Sequence, residues 1–454
     1  MRSTGFVSLL AAAVIGVYVL VIVGATAALA DAAAACQGWP LCGGDLSNPA
    51  VLVALFHRAA ALVVGALVVG AAIVGWLSAS RRVKGALAVA VCLYPIQIAV
   101  GAYVATGTTV ASLHLLTAMA IFAALVLALA WQLEAETGDA DDVPESIPEP
   151  AELDSDTVVT SPPSLSGTDR LKATVGAYFR LMKPRLMWLL CLVAGAGMVL
   201  AGTPTVRTVV LTLGGGVLAI GASGTFNHVL ERDIDKRMER TADRPLATHN
   251  VPVRNALAFG GLLTVGSLGA FLSVNLLTAA LGLAAIAFYS VVYTLILKPN
   301  TVQNTVIGGA AGALPALIGY AAVTGHVGIA GLVLAGVIFL WTPAHFYNLA
   351  LAYRDDYERG GFPMMPVVRG ETETRKHIVL YLGATLLGAG GLTAISNLGW
   401  LYGATTVLLG SLFLWTVIRL HYEQSEGAAF RAFHASNAYL GLVLVAIVID
   451  GLTI

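Results

Sequence analysis

Charge is scarce in this 454-residue chain: 25 Lys and Arg stand against 26 Asp and Glu, together 11% of the residues. A soluble domain carries about 25% charged residues, so so little charge cannot clothe a water-soluble protein of this length. The net charge of −1 says nothing about partners, so the placing of Lys and Arg must carry that information; no nucleic acid is expected. Four cysteines are too few for a disulfide-built scaffold. Lys and Arg are missing altogether from 31–49, 106–110, 274–276, 324–326 and 396–398.

What fills the chain is apolar: 57% hydrophobic residues and 49 glycines, with a mean hydropathy of +0.82. Apolar runs recur at 6–30, 50–77, 85–105, 111–132, 186–202, 206–229, 254–273, 276–297, 304–323, 327–350, 377–395, 399–419 and 433–453. Each is long enough for a bilayer core, which takes about 20 residues of helix. The expected fold is an all-α polytopic membrane protein of 13 transmembrane helices. The first run follows Arg2 and ends in Ala27, Ala28 and Ala30, as a signal peptide does. It exceeds the usual apolar region of about 7–15 residues, so a retained helix is expected.

Between the fourth and fifth runs lies "EAETGDADDVPESIPEPAELDSDTVVTSPPSLSGTD", acidic and rich in Pro and Ser, with almost nothing to bury. It reads as a disordered linker over 134–169. That divides the chain into a four-helix module at 1–133 and a nine-helix module at 170–454. The basic residues are unevenly placed. Arg81, Arg82, Lys84, Arg180, Lys183, Arg185, Lys298, the 354–376 loop and Arg419 fall on one side in a count of crossings. The positive-inside rule makes that side, with the N-terminus, cytoplasmic and puts the C-terminus outside.

Against this background "NHVLERDIDKRMERTADRPL" (227–246) is anomalous, with five acids and five Lys or Arg in twenty residues. Asn227, Glu231 and Asp235 are four apart, so on a continuing helix they stack along one face. Oxygen side chains in a row suit a hard cation. Mg²⁺ prefers a few carboxylates plus phosphate oxygens and waters, which fits an ion shared with a diphosphate. A second cluster follows the tenth run, "HFYNLALAYRDDYERGGFPMMPVVRG", where Asn348 and Asp356 are eight apart and Asp355 sits beside Asp356. Two such rows can face each other across a cavity and hold metal at Asn227, Glu231, Asp235 and Asp356. Arg237, Arg240, Arg244 and Lys298 are then available to the phosphates. The alternative is a loop that orients the chain, its acids balancing its bases.

The nine-helix half resembles the UbiA superfamily of intramembrane prenyltransferases, and within it the protoheme IX farnesyltransferase (heme O synthase) subfamily. "LMKPR" (181–185), "RDIDKRMERTADRPL" (232–246), "KPNTVQNTVIGGAAGALPALIGYAAVTG" (298–325) and "WTPAHFYNLALAYRDDYERGGFPMMPVV" (341–368) carry the likeness. One departure is Glu231, where the subfamily more commonly has Asp. The resemblance implies Mg²⁺-assisted transfer of farnesyl from farnesyl diphosphate to a vinyl group of heme b, with water adding to give heme O. Asp355 and Asp356 would belong to the catalytic set, and His345 would orient or ligate the porphyrin unless it is simply an interfacial hydrogen-bonding histidine. Two other readings stay open: a UbiA-type enzyme with a quinone or lipid acceptor, and a heme-binding membrane protein without transferase activity.

In the first module His57 and His114 lie near the same ends of two helices that run in the same direction. Two intramembrane histidines at one level suggest bis-imidazole binding of a heme b. Cys36 and Cys42 fall in an outer loop, where a disulfide, a redox pair or two free thiols are all compatible. "CQGWPLC", "HR" at 57–58, "QIAVGAYVATG" at 97–107 and "LHLLTA" at 113–118 resemble the first half of the heme A synthase family. Ala54 stands where that family has a glutamate, and its second four-helix half has no counterpart. The likeness therefore implies holding or delivering heme, contact with a separate heme A synthase or oxidase assembly factor, or a relic retained for folding, rather than heme oxidation.

Overall fold

The structure is a computed structural model that describes residues 2–29, 32–36, 38–104, 108–139, 142, 146–152 and 166–453. Among these, 13 helices are long and apolar enough to cross a membrane, and the protein is a multi-pass membrane protein. In chain order they are α1 (Arg2–Leu29), α2 (Pro49–Ser78), α3 (Arg81–Gly101), α4 (Thr108–Thr137), α5 (Pro184–Ala201), α6 (Val206–Leu230), α7 (Val253–Leu272) and α8 (Leu276–Asn300). After them come α9 (Asn304–Thr324), α10 (Ile329–Ala352), α11 (Glu371–Ile395), α12 (Trp400–Glu423) and α13 (Glu426–Thr453). A backbone that leaves water must satisfy its own hydrogen bonds, which is why every span is helical.

Packing divides the chain otherwise than at the linker. Residues 1–140 and 375–454 form one compact unit, and 141–374 form the other. The expected split is drawn at the linker, into 1–133 and 170–454, whereas contact places α11 from Arg375 onward, with α12 and α13, in one group with the first four helices. Its physical basis is visible in side chains that no linear pattern pairs. Lys376 of α11 donates to Glu134 of α4 at 2.7 Å, Tyr422 of α12 donates to Glu136 at 2.8 Å, and Thr137 meets His421 at 3.1 Å. Apolar contacts continue the seam, with Val126 of α4 against Gly383 and Val21 of α1 against Gly390. Cys36 and Cys42 are joined by a disulfide in this unit.

The second unit holds α5–α10, preceded by the helix Gly167–Leu181. Its tightest seam is α5 on α9. A Cβ on Gly197 would overlap the Ala316 carbonyl oxygen, and one on Gly319 would overlap that of Ala194. Two glycines from opposite helices therefore let the backbones touch, the usual means of helix association where lipid offers no hydrophobic drive. Ser267 of α7 donates to the Gly215 carbonyl of α6 at 2.8 Å.

The linker is not wholly detached. Asp142 and residues 146–152 rest on the second unit, whereas 153–165 lie outside the described residues.

Candidate active site

The site is built where α6 ends. Glu231 interrupts the helix (φ −97°, ψ 1°) before the single turn Arg232–Asp235. The i to i+4 bonds nevertheless persist, Glu231 N to Asn227 O at 2.9 Å and Asp235 N to Glu231 O at 2.8 Å. Asn227, Glu231 and Asp235 therefore stack as a continuous helix would stack them, and all three are buried.

Each meets a base. Lys183 donates from Nζ to Asn227 Oδ1. Lys298 Nζ donates to Glu231 Oε1 at 2.6 Å. Arg244 Nη1 reaches both Asp235 oxygens, at 2.7 and 2.9 Å, and lies 3.7 Å from Glu231 Oε2. Burial alone would raise the Glu231 carboxyl, but Lys298, Lys183 and Arg244 together hold it below its ordinary range. Burial raises Asp235 above its ordinary value against the pull of Arg244, with Glu231 adding to the rise. Two neighbouring carboxylates thus part in acidity, as coupled acids do. Burial and the nearby Arg244 lower Lys183 to about 8.

Lys183 was noted in the sequence only as a basic flank of α5. The signal it left is local: "LMKPR" places it before the Pro184 that starts α5, and its φ of +55° is unusual for a side-chain-bearing residue. Tyr289 and Thr294 also escaped, because α8 changes pitch. Residues Phe288–Leu297 form a π-helix, whose wider turn brings Tyr289, Thr294 and Lys298 to one side. Tyr289 accepts from Lys183 at 3.2 Å, and Thr294 accepts from Asn227 Nδ2 at 3.2 Å. An α-helical count would have set Tyr289 with Tyr293 and Leu297, and π-turns recur at functional sites.

The expected second row meets the loop that carries the first. Asp356 is buried, but its carboxylate is taken by the backbone N–H of Glu239 at 2.8 Å, that of Arg240 at 3.1 Å and Arg359 Nη2 at 2.6 Å. Burial would raise it, yet these three donors hold it below its ordinary value. Asp356 thus fastens the loop after α10 to the loop after α6. Asp355 is exposed. Among the described residues no three His, Cys, Asp or Glu converge as a metal cluster. Asn348 is fully buried with Nδ2 bonded to Ala344 O and Oδ1 without a partner.

The bases also part. Arg244 and Lys298 stand on the carboxylate row. Arg240 lies over the rings of Tyr353 and Tyr357, at 5.0 and 5.4 Å from their centroids, and Arg237 is half-buried with a buried Nε that has no partner. His345 stacks on Trp341 with centroids 4.3 Å apart. In the other unit the rings of His57 and His114 lie 6.5 Å apart, inclined at 63°. Their Nδ1 atoms are buried without partners, Gln97 meets His114 Nε2 at 3.1 Å, and Gly24 and Gly101 leave room against the two imidazoles.

An apolar cavity starts at Lys183 and Tyr289 and runs between α5, α6 and α9 to Phe271, lined on the way by Ala194, Ala219 and Ile318. Its wall on α6 extends from Gly224 to Thr212, a span of about 18 Å at a helical rise of about 1.5 Å per residue. An apolar cavity with Lys183 and Tyr289 at one end, Lys183 being bonded to Asn227 of the carboxylate row, suits an amphiphile with a charged head and a hydrocarbon tail.

That arrangement defines an intramembrane prenyl-diphosphate enzyme, and the chain belongs to the UbiA prenyltransferase family, whose model matches residues 188–441. More particularly, it is 76% identical to protoheme IX farnesyltransferase 1 of Natronomonas pharaonis and 66% identical to protoheme IX farnesyltransferase of Haloarcula marismortui, each over the whole of both chains. Protoheme IX farnesyltransferase 1 of Saccharopolyspora erythraea is 46% identical over 62% of this chain and 91% of its own. Among solved structures, that of digeranylgeranylglyceryl phosphate synthase shares the fold, with a TM-score of 0.53 at 14% identity over 63% of this chain and all of that one.

Proposed function

We propose that the protein transfers the farnesyl group of farnesyl diphosphate to a vinyl group of heme b, with addition of water, to give heme O. The observation that carries it is the apolar cavity that ends at Lys183 and Tyr289, where Lys183 is bonded to Asn227 of the carboxylate row. The names of full-length relatives supply the acceptor.

Asn227, Glu231 and Asp235 offer an amide oxygen and two carboxylates, a donor set that fits Mg²⁺ once phosphate oxygens complete its shell. Bound there, the cation would draw charge from the diphosphate and favour its departure. Lys183, Arg244 and Lys298 sit on that row and can exchange their carboxylate and amide partners for phosphate oxygens. The tail enters the cavity past Tyr289, and the farnesyl C1–O bond breaks as diphosphate leaves. The terminal vinyl carbon bonds to C1, water adds to the cation formed beside the porphyrin, and a proton is released. Arg240 and Arg237, with His345 for the porphyrin, form a second rank. The positive-inside asymmetry supports a cytoplasmic position for these loops.

The test is conversion of heme b by the purified protein with farnesyl diphosphate and Mg²⁺, followed by mass analysis of the pigment. A farnesylated, hydrated heme supports the assignment. Diphosphate released only onto a quinone or lipid acceptor would replace the substrate, and heme retained without turnover would favour a binding protein.

The paired Nδ1 atoms of His57 and His114 favour a second element, a heme b held in the other unit. Its readout is the visible spectrum of the purified protein. A bis-imidazole spectrum that is lost in His57→Ala and His114→Ala supports it, and a spectrum unchanged in both variants refutes it.

A further inference from the structure

The acidic segment that reads as a tether touches the start of α11 and the loop after α10. Asp142 accepts the backbone N–H of Glu371 at 3.0 Å and that of Thr372 at 2.6 Å, capping α11 from 229 residues away. Gly370, at φ +85°, leaves room for its carboxylate, which any Cβ there would overlap. The second point is the hydrogen bond from Ala151 N to Arg359 O at 2.9 Å, where Pro150 lies against Gly361 at φ +69°. A Cβ on Gly361 would come within 2.6 Å of the Pro150 ring. Asp142 and residues 150–151 therefore grip the loop after α10 at its end and at its middle.

What they grip bears directly on the site. Arg359 holds Asp356, whose other bonds fix the Glu239–Arg240 backbone. Phe362, next to Gly361, lies under Lys298 at 4.1 Å, and Lys298 pairs with Glu231. Gly360 touches Met238 of the first loop, 3.0 Å from its sulfur to an added Cβ.

We propose that Asp142, Pro150 and Ala151 form a strap that positions the two loops to bind the diphosphate, a role that rests on the prenyltransferase reading. The strap tunes affinity rather than chemistry. The Saccharopolyspora relative matches only 62% of this chain over nine-tenths of its own length, so a chain lacking a counterpart to over a third of this one carries the same name. Its loss should therefore raise KM for farnesyl diphosphate and spare kcat, the pattern of lost uniform binding.

Full-length protein in lipid is compared with Asp142→Ala, Asp142→Asn and Ala151→Pro, the last of which removes the N–H given to Arg359 and also fixes the backbone φ there. Expected for Asp142→Ala and Ala151→Pro is a KM for farnesyl diphosphate raised about tenfold, equivalent to about 1.4 kcal/mol, with kcat retained. Asp142→Asn keeps one acceptor oxygen and should recover part of the loss. Unchanged KM in Asp142→Ala and Ala151→Pro overturns the proposal. So does a fall in kcat and folded yield at constant KM, which marks a purely structural cap. If Asp142→Ala does not fold, Ala151→Pro decides. Absence of any farnesylated heme from the parent would instead sink the transferase reading.

Discussion

Replacing Lys298 by Met removes a charge from a pair whose members are almost out of water: side-chain exposure is 12% for Lys298 and 5% for Glu231, with 2.6 Å between them. Breaking one side of a buried pair costs about 3–5 kcal/mol, because the other charge is stranded. Here Arg244 remains 3.7 Å from Glu231 and takes up part of that charge, so we expect about 2–3 kcal/mol. Glu231→Gln should cost a similar amount by stranding Lys298 over the Phe362 ring. The double variant has no stranded charge and should lose much less than the sum, leaving a coupling of about 2 kcal/mol. Unfolding by SDS titration in mixed micelles, run on the parent and the three variants, measures that coupling. Additivity to within about 0.5 kcal/mol would refute the pairing and the electrostatic design built on it.

Other outcomes follow from single contacts. Gly319→Ala drives a methyl into the Ala194 carbonyl of α5 and should lower stability in the same titration by about 1–3 kcal/mol, the range for overpacking. Asp356 has a folded pKa below its ordinary value, so it stabilises the protein above the unfolded value of about 3.9 and that contribution is lost as pH falls through the folded value. Thermal unfolding from about pH 7 to pH 3 should therefore show an acid-side loss in the parent that is smaller in Asp356→Asn, which starts less stable and keeps only the loss from the other lowered carboxyls such as Glu231. Ala219→Leu fills the cavity wall between Lys183 and Phe271; it should raise KM for farnesyl diphosphate relative to geranyl diphosphate, as steady-state rates with both donors would show.

The sequence and the structure agree where a single element carries the information. All 13 spans were legible from apolar runs, and the Asn227, Glu231 and Asp235 stack was legible from four-residue spacing even though the helix breaks at Glu231. What was hidden depends on pairing between distant elements. The π-turn moved Thr294 and Lys298 into register with Asn227 and Glu231, which a 3.6-residue period cannot foresee. Asp356 is held by two backbone N–H groups as well as by Arg359, and backbone donors leave no trace in side-chain spacing. The union of α11–α13 with α1–α4 was equally hidden, because the small and apolar residues along that seam would suit many partners.

The most direct test of the metal and diphosphate face sets the parent beside Asp235→Asn, with heme b, farnesyl diphosphate and Mg²⁺ supplied to both, and reads the heme product by mass together with released diphosphate. Asp235 is held by Arg244 at 2.7 and 2.9 Å and stacks with Glu231, so its loss should abolish both products while the protein stays folded. Farnesylated heme made at the parent's rate by Asp235→Asn would contradict that assignment.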